Sequence, residues 1–125
     1  MGTIKDLLAY QEGFGLAMEI FKISKRFPSE ERYSLTDQIR RPSRSVCANM
    51  AEAYRKRRYP NHFISKLSDA DMENGETQTW LDFVLSCEYI SYDEHRELNE
   101  RAEEVAKLLV YMMNNTEKFL IKSDS

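Results

Sequence analysis

The chain has 125 residues, a formal net charge of −3, 42% apolar residues and 31% charged residues. Such a length fits one domain spanning 1–125, and such a balance favours a soluble globular chain over a disordered one. No run of eighteen apolar residues occurs, which excludes a helical membrane span and a membrane partner.

Only 4 Gly and 3 Pro punctuate the sequence, so turns are scarce and the elements must be long, which favours helices. The N-terminus lacks the apolar core and cleavage site of a signal peptide, and Asp6 stands where a myristoylation signal needs Ser or Thr. Cys47 and Cys87 have neither CxxC spacing nor nearby histidines, and both read as buried free thiols of a cytoplasmic protein.

The first helix is expected over about residues 5–25, with Leu7, Gln11, Phe14, Met18 and Phe21 on one face. Gly13 and Gly15 inside it suggest either a close helix–helix approach or a bend, and Phe27-Pro28 ends it. A second helix, over about 35–57, opens at Ser34, where Ser34-Leu-Thr-Asp37 matches a capping box. Its apolar stripe is Leu35, Ile39, Val46, Met50 and Ala53, and Pro42 should bend it by removing the bond to the Gln38 carbonyl. The third helix is expected over about 62–89 with Asn61 as N-cap, and Phe63, Leu67, Ala70, Asn74, Gln78, Leu81 and Leu85 on its core face. Ser91-Tyr-Asp-Glu94 is a second capping box and starts the fourth helix, over about 92–118, with Leu98, Ala102, Val105, Leu109 and Met112 as its stripe. Four such helices with short connections predict an all-α, antiparallel up-down four-helix bundle.

The segment FPSEERYSLTDQIRRPSRSVCANMAEAYRKRRYPNHF resembles the signature of the bacterial four-helix-bundle proteins called 23S rRNA intervening-sequence proteins. The resemblance rests on Phe27-Pro28, Gln38-Ile-Arg40-Arg41, Ser45-Val46 and Asn49-Met-Ala51-Glu52, and extends to Ala70 and Glu76 within SDADMENGETQTWLDF. Two departures stand out. Glu52-Ala53 replaces a frequent Glu-Gly, which lets the second helix run on, and Met72-Glu73 replaces a frequent Gly-Ser with bulkier, more acidic residues. The resemblance implies a homopentamer around a central opening, no established enzymatic activity, and a related group that serves as nucleic-acid-binding accessory proteins.

The second helix carries Arg40, Arg41, Arg44, Arg55, Lys56, Arg57 and Arg58 against Glu52 alone between Gln38 and Pro60. At 100° per residue Arg40, Arg44, Arg55 and Arg58 share a narrow sector away from the apolar stripe, with Ala48 and Ala51 keeping that sector low. One reading is ion pairing: beyond Asn61 there are 14 acids against 6 bases, and Asp69, Glu73 and Glu76 form a stripe on the third helix. Gln38, Arg40, Arg41, Arg44, Asn49, Glu52, Asp69, Glu73 and Glu76 are then a polar interface network, within or between subunits. Asn49 and Glu52, three apart on one side, would orient an arginine such as Arg41, unless Asn49 is a locally satisfied amide. The other reading is RNA or single-stranded nucleic acid, with Tyr54 and Tyr59 flanking Arg55, Lys56, Arg57 and Arg58 to stack bases and neutralise phosphates. The net negative charge and the absence of a nucleic-acid motif weigh against it.

The Glu-x-x-His pairs of a di-iron bundle are absent, since His62 and His95 each follow a Tyr three residues earlier, and both read as surface histidines. With no nucleophile–base pair and no phosphate loop either, the expectation is a non-catalytic protein without metal or cofactor.

Overall fold

In the computed structural model, residues 3–4 and 7–121 are described, and they form four helices with no strand among them. These are α1 (Leu8–Ser24), α2 (Leu35–Arg55), α3 (Pro60–Ser86) and α4 (Tyr92–Asn114), with single 3-10 turns at Ser29–Glu31 and Thr116–Lys118. Each helix packs on its neighbour in sequence, most extensively α2 on α3, and α1 closes against α4. The result is the expected four-helix bundle. Residues 5 and 6, where the first helix was expected to begin, and the tail 122–125 lie outside the described residues.

The core consists of two apolar clusters. One gathers Val46, Met50, Phe63, Leu67, Val105 and Leu109; the other gathers Leu16, Ile20, Ile39, Leu81, Val84 and Leu98. Asn74 and Thr77, both fully buried, fall on α3 between the residues it gives to the first cluster and those it gives to the second. Thr77 returns its hydroxyl to the Glu73 carbonyl at 2.9 Å, and Asn74 Nδ2 donates to the Ala102 carbonyl at 2.8 Å. Asn74 Oδ1 is buried with no partner.

The stripes of α2 and α4 are buried as expected. That of α1 is not. Ala9, Gly13, Leu16, Ala17 and Ile20 are buried, whereas Phe14 and Met18 are 52% and 41% exposed and Gln11 is exposed. The reason is size: small residues let α1 sit close to α2, where a Cβ on Gly13 would lie 3.2 Å from Met50 Cε and 3.4 Å from Cys47 Sγ. On α3, Thr77 and Val84 take the buried positions expected for Gln78 and Leu85, which are half-buried.

Several helix ends also differ, and α4, expected to run to 118, ends at Asn114. Ser34 does not cap α2: its hydroxyl donates to Glu31 Oε1 at 2.5 Å, and the same carboxylate oxygen accepts from the Leu35 amide at 3.4 Å. Tyr59, not Asn61, is the N-cap of α3, with Pro60 in the first helical position that suits its missing N–H. Helix α3 stops at Ser86, where Glu88 adopts φ 64° and the amides of Glu88 and Tyr89 return to the carbonyls of Leu85 and Val84. That is a Schellman motif built with Glu where Gly is usual. The Ser91–Glu94 capping box forms in full. Helix α2 runs without interruption through the buried Pro42.

Candidate functional site

Charge and exposed apolar surface meet at the α1–α2 face. The Phe21 ring of α1 has Lys25 Nζ at 4.6 Å, Arg40 Cζ at 4.8 Å and Arg44 Cζ at 5.7 Å. Arg40 is half-buried and its Nε donates to Ser24 Oγ at 2.7 Å, so it is held inward. Arg44 and Arg41 are exposed, and Arg41 reaches Asp37 one turn back at 3.3 Å. Gln38 is exposed on the same stretch of helix. Of the four arginines expected to share one sector, Arg40 is thus held inward, while Arg44, Arg55 and Arg58 are exposed.

Helix α3 presents the opposite sign. Asp69 and Glu73 are half-buried and Glu76 is exposed, accepting from Trp80 Nε1 at 3.2 Å. Burial, then the Glu76 and Asp69 charges, raises the Glu73 carboxyl above the usual range. Met72, 71% exposed, and Phe83, 53% exposed, lie on the same side of α3 as Glu76, at spacings of four and seven. An apolar-and-acidic surface therefore stands on α3, while α1 exposes Phe14 and Met18 and α2 exposes Arg41 and Arg44.

The two do not meet within the chain. No described ion pair joins an arginine of α2 to Asp69, Glu73 or Glu76. The described ion pair between α2 and α3 has the reverse polarity: Glu52 of α2 accepts Lys66 of α3 at 2.7 Å, with Asp69 at 3.9 Å from the same ammonium. The Glu52 bond, ahead of the charges, raises the Lys66 pKa. Asn49 does not join Glu52; its Nδ2 donates to the Ser45 carbonyl at 3.0 Å, as a locally satisfied amide does.

At the far end of α2, Arg57 stacks on the Tyr54 ring at 3.6 Å and donates from Nε to the Tyr54 carbonyl at 2.8 Å. Lys56 Nζ is 5.9 Å from the Tyr59 ring, which meets His62 edge-on. Arg55, Lys56 and Arg58 are exposed. The cations expected to touch nucleic acid do gather here, but one face of Tyr54 already carries Arg57.

Two readings of single residues are corrected. Cys87 is exposed, and only Cys47 of the two thiols is buried, where desolvation pushes its pKa up to about 11. His95 is not a surface histidine: its side chain is 16% exposed and sits 2.8 Å from Asp82 Oδ1. Among the described residues no three His, Cys, Asp or Glu side chains gather as a metal site would require, and no helix is long and apolar enough to cross a membrane.

Sequence reasoning passed over the cleft between the end of α1 and the start of α2, lined by Ser24, Lys25, Ser29, Arg32, Thr36 and Arg40 with Phe27 and Pro28. Its cations come from the residue after α1, the residue after the first 3-10 turn and the second turn of α2, which no single periodicity connects.

The family description "23S rRNA-intervening sequence protein" matches residues 5–111. The chain belongs to this family. It is similar to a solved protein of unknown function from the S23 ribosomal protein family of Bacteroides thetaiotaomicron, at 28% identity and a TM-score of 0.78. The match covers 86% of this chain and 100% of that one. No curated protein matches the chain.

Proposed function

We propose that this intervening-sequence protein is a non-catalytic, cytoplasmic interaction protein that assembles from copies of itself. The observation that carries the reading is a pair of unlike sets of exposed side chains, Phe14, Met18, Arg41 and Arg44 against Met72, Glu76 and Phe83 with the half-buried Glu73. Their charges are complementary, and they go unpaired with each other inside one chain. Large exposed apolar side chains flanked by charge are the mark of a protein contact. Because the two patches differ, the contact is head-to-tail, and such contacts close into rings when the rotation permits. The family resemblance supplies the number five. Static light scattering at micromolar concentration tests it: a single species of five chains is expected, and a monomer contradicts the reading.

A second reading has its own support in the exposed Arg55, Lys56 and Arg58 at one end of α2, which would contact RNA or single-stranded nucleic acid. A ring would repeat that cluster at every subunit and multiply a weak contact. Binding would then fall steeply with salt as counterions are released. A gel-shift titration with a single-stranded RNA that shows no complex even at low salt removes it.

A further inference from the structure

We propose that the cleft between the last turn of α1 and the first turn of α2 binds a phosphate dianion, free or as a terminal monoester. Its ligands are Lys25, Arg32 and Arg40, with Thr36 as hydroxyl donor.

The lining holds three cations and no carboxylate. Of the described ion pairs, none involves Lys25, Arg32 or Arg40. Two acids lie in the same connection, and neither lines the cleft. Of these, Glu31 is engaged by Ser34, by the Leu35 amide and by the Tyr89 hydroxyl at 2.8 Å. Like charges left together without a counter-ion repel, and an anion between them relieves that repulsion.

Arg40 is already set for the task. Ser24 donates its own proton to the Phe21 carbonyl at 2.8 Å, which leaves its oxygen to accept from Arg40 Nε at 2.7 Å. The Phe21 ring lies 4.8 Å from the guanidinium carbon. With Nε bound and the Phe21 ring beside it, the two Nη groups are the donors that remain, and a guanidinium edge fits phosphate oxygens in pairs. Thr36 is 8% exposed, and its hydroxyl makes no hydrogen bond to another described residue. It is the second residue of α2, next to Leu35, whose amide is already taken by Glu31 Oε1.

The number of cations selects the anion. A carboxylate offers one charge and two oxygens, which leaves two of the three charges uncompensated. A phosphate monoester offers two charges and three free oxygens. The cleft measures about 260 Å³, ample for a phosphate together with the first group attached to it. This site does not depend on self-assembly, because Arg41, Arg44 and the α3 face take no part in it.

The test is an amide NMR titration at low salt with inorganic phosphate, with acetate at matched ionic strength, and with a short RNA bearing either a 5′-phosphate or a 5′-hydroxyl. Saturable shifts centred on Ser24, Thr36 and Arg40 are expected with phosphate. Arg40→Ala and Arg32→Ala should each weaken binding about tenfold or more, as the loss of a charge-assisted bond does. Lys107→Ala, on the exposed side of α4, should not. Arg32 is exposed, so Arg32→Ala serves if Arg40→Ala does not fold. Shifts at Ser24, Thr36 and Arg40 that are stronger with the 5′-phosphorylated than with the 5′-hydroxyl RNA support a monoester, and equal shifts at this cleft with the two RNAs, alongside saturable shifts with phosphate, support free phosphate. Equal shifts with acetate, or unsaturable shifts scattered over surface cations, overturn the proposal. Light scattering on the same samples reads assembly separately, so a failure of either reading is seen without the other.

Discussion

Glu88 is the clearest point of strain. At φ 64° a side chain with a Cβ costs roughly 1 kcal/mol that glycine does not. The two bonds it permits, Glu88 N to Leu85 O at 2.8 Å and Tyr89 N to Val84 O at 3.0 Å, close the end of α3. Glu88→Gly should therefore stabilise the fold by up to about 1 kcal/mol in a urea melt; a loss of stability would mean that the left-handed cap is not populated. Next to it, Tyr89 donates to Glu31. Bonds from Ser34 and then from Tyr89 lower the Glu31 pKa below its usual value, while the same contact, led by Glu31, pushes the Tyr89 pKa up to about 12. A depressed carboxyl contributes stability that is present above about pH 4.5 and lost as pH falls through the folded pKa. A raised tyrosine contributes stability that is present below about pH 10 and lost as pH rises towards 12. Tyr89→Phe should move the Glu31 carboxyl titration, followed by carbon NMR, back towards its ordinary range. An unmoved Glu31 would show that the bond is absent in solution.

At the scale of the helix, α3 carries the buried polar pair Asn74 and Thr77. Asn74 makes one bond and leaves Oδ1 without a partner, a group whose desolvation costs about 1–3 kcal/mol. Replacing it by an apolar residue of similar size removes that cost together with one hydrogen bond. Asn74→Leu should accordingly be neutral or raise the thermal midpoint. A fall of several degrees would mean that Oδ1 has a partner in solution, such as a bound water. The helices differ in how legible they were. Stripes of large side chains on α2 and α4 at unbroken spacing could be read directly, because bulk and burial coincide there. On α1 they do not: Ala9, Gly13 and Ala17 are buried because they are small, and Phe14 and Met18 remain outside. The α3 pattern points three residues past the observed end because the residue that stops the helix is Glu88 and not a glycine. Ser34 looked like a cap because Asp37 follows at the right spacing, yet the preceding 3-10 turn brings Glu31 to the same hydroxyl first.

For the whole molecule, the arginines of α2 and the acids of α3 were legible as residues, but whether they met could not be read from spacing. In the folded chain they stand on separate faces, and the described bond between α2 and α3 charges is Glu52 to Lys66. Arg41→Ala therefore removes from the monomer only an exposed pair with Asp37, worth about 0–1 kcal/mol. Any larger effect would belong to a second copy.

Sedimentation velocity on charge-reversed chains tests self-assembly through unlike faces most directly. The wild-type chain should sediment as a ring, and five copies of a 14.8 kDa chain give about 74 kDa. Arg41→Glu with Arg44→Glu should yield monomers that keep their helical far-UV signal, and so should Glu73→Arg with Glu76→Arg. The chain carrying all four reversals should return to the wild-type mass. Assembly that survives either pair of reversals, or a wild-type chain that sediments as a monomer, contradicts the account.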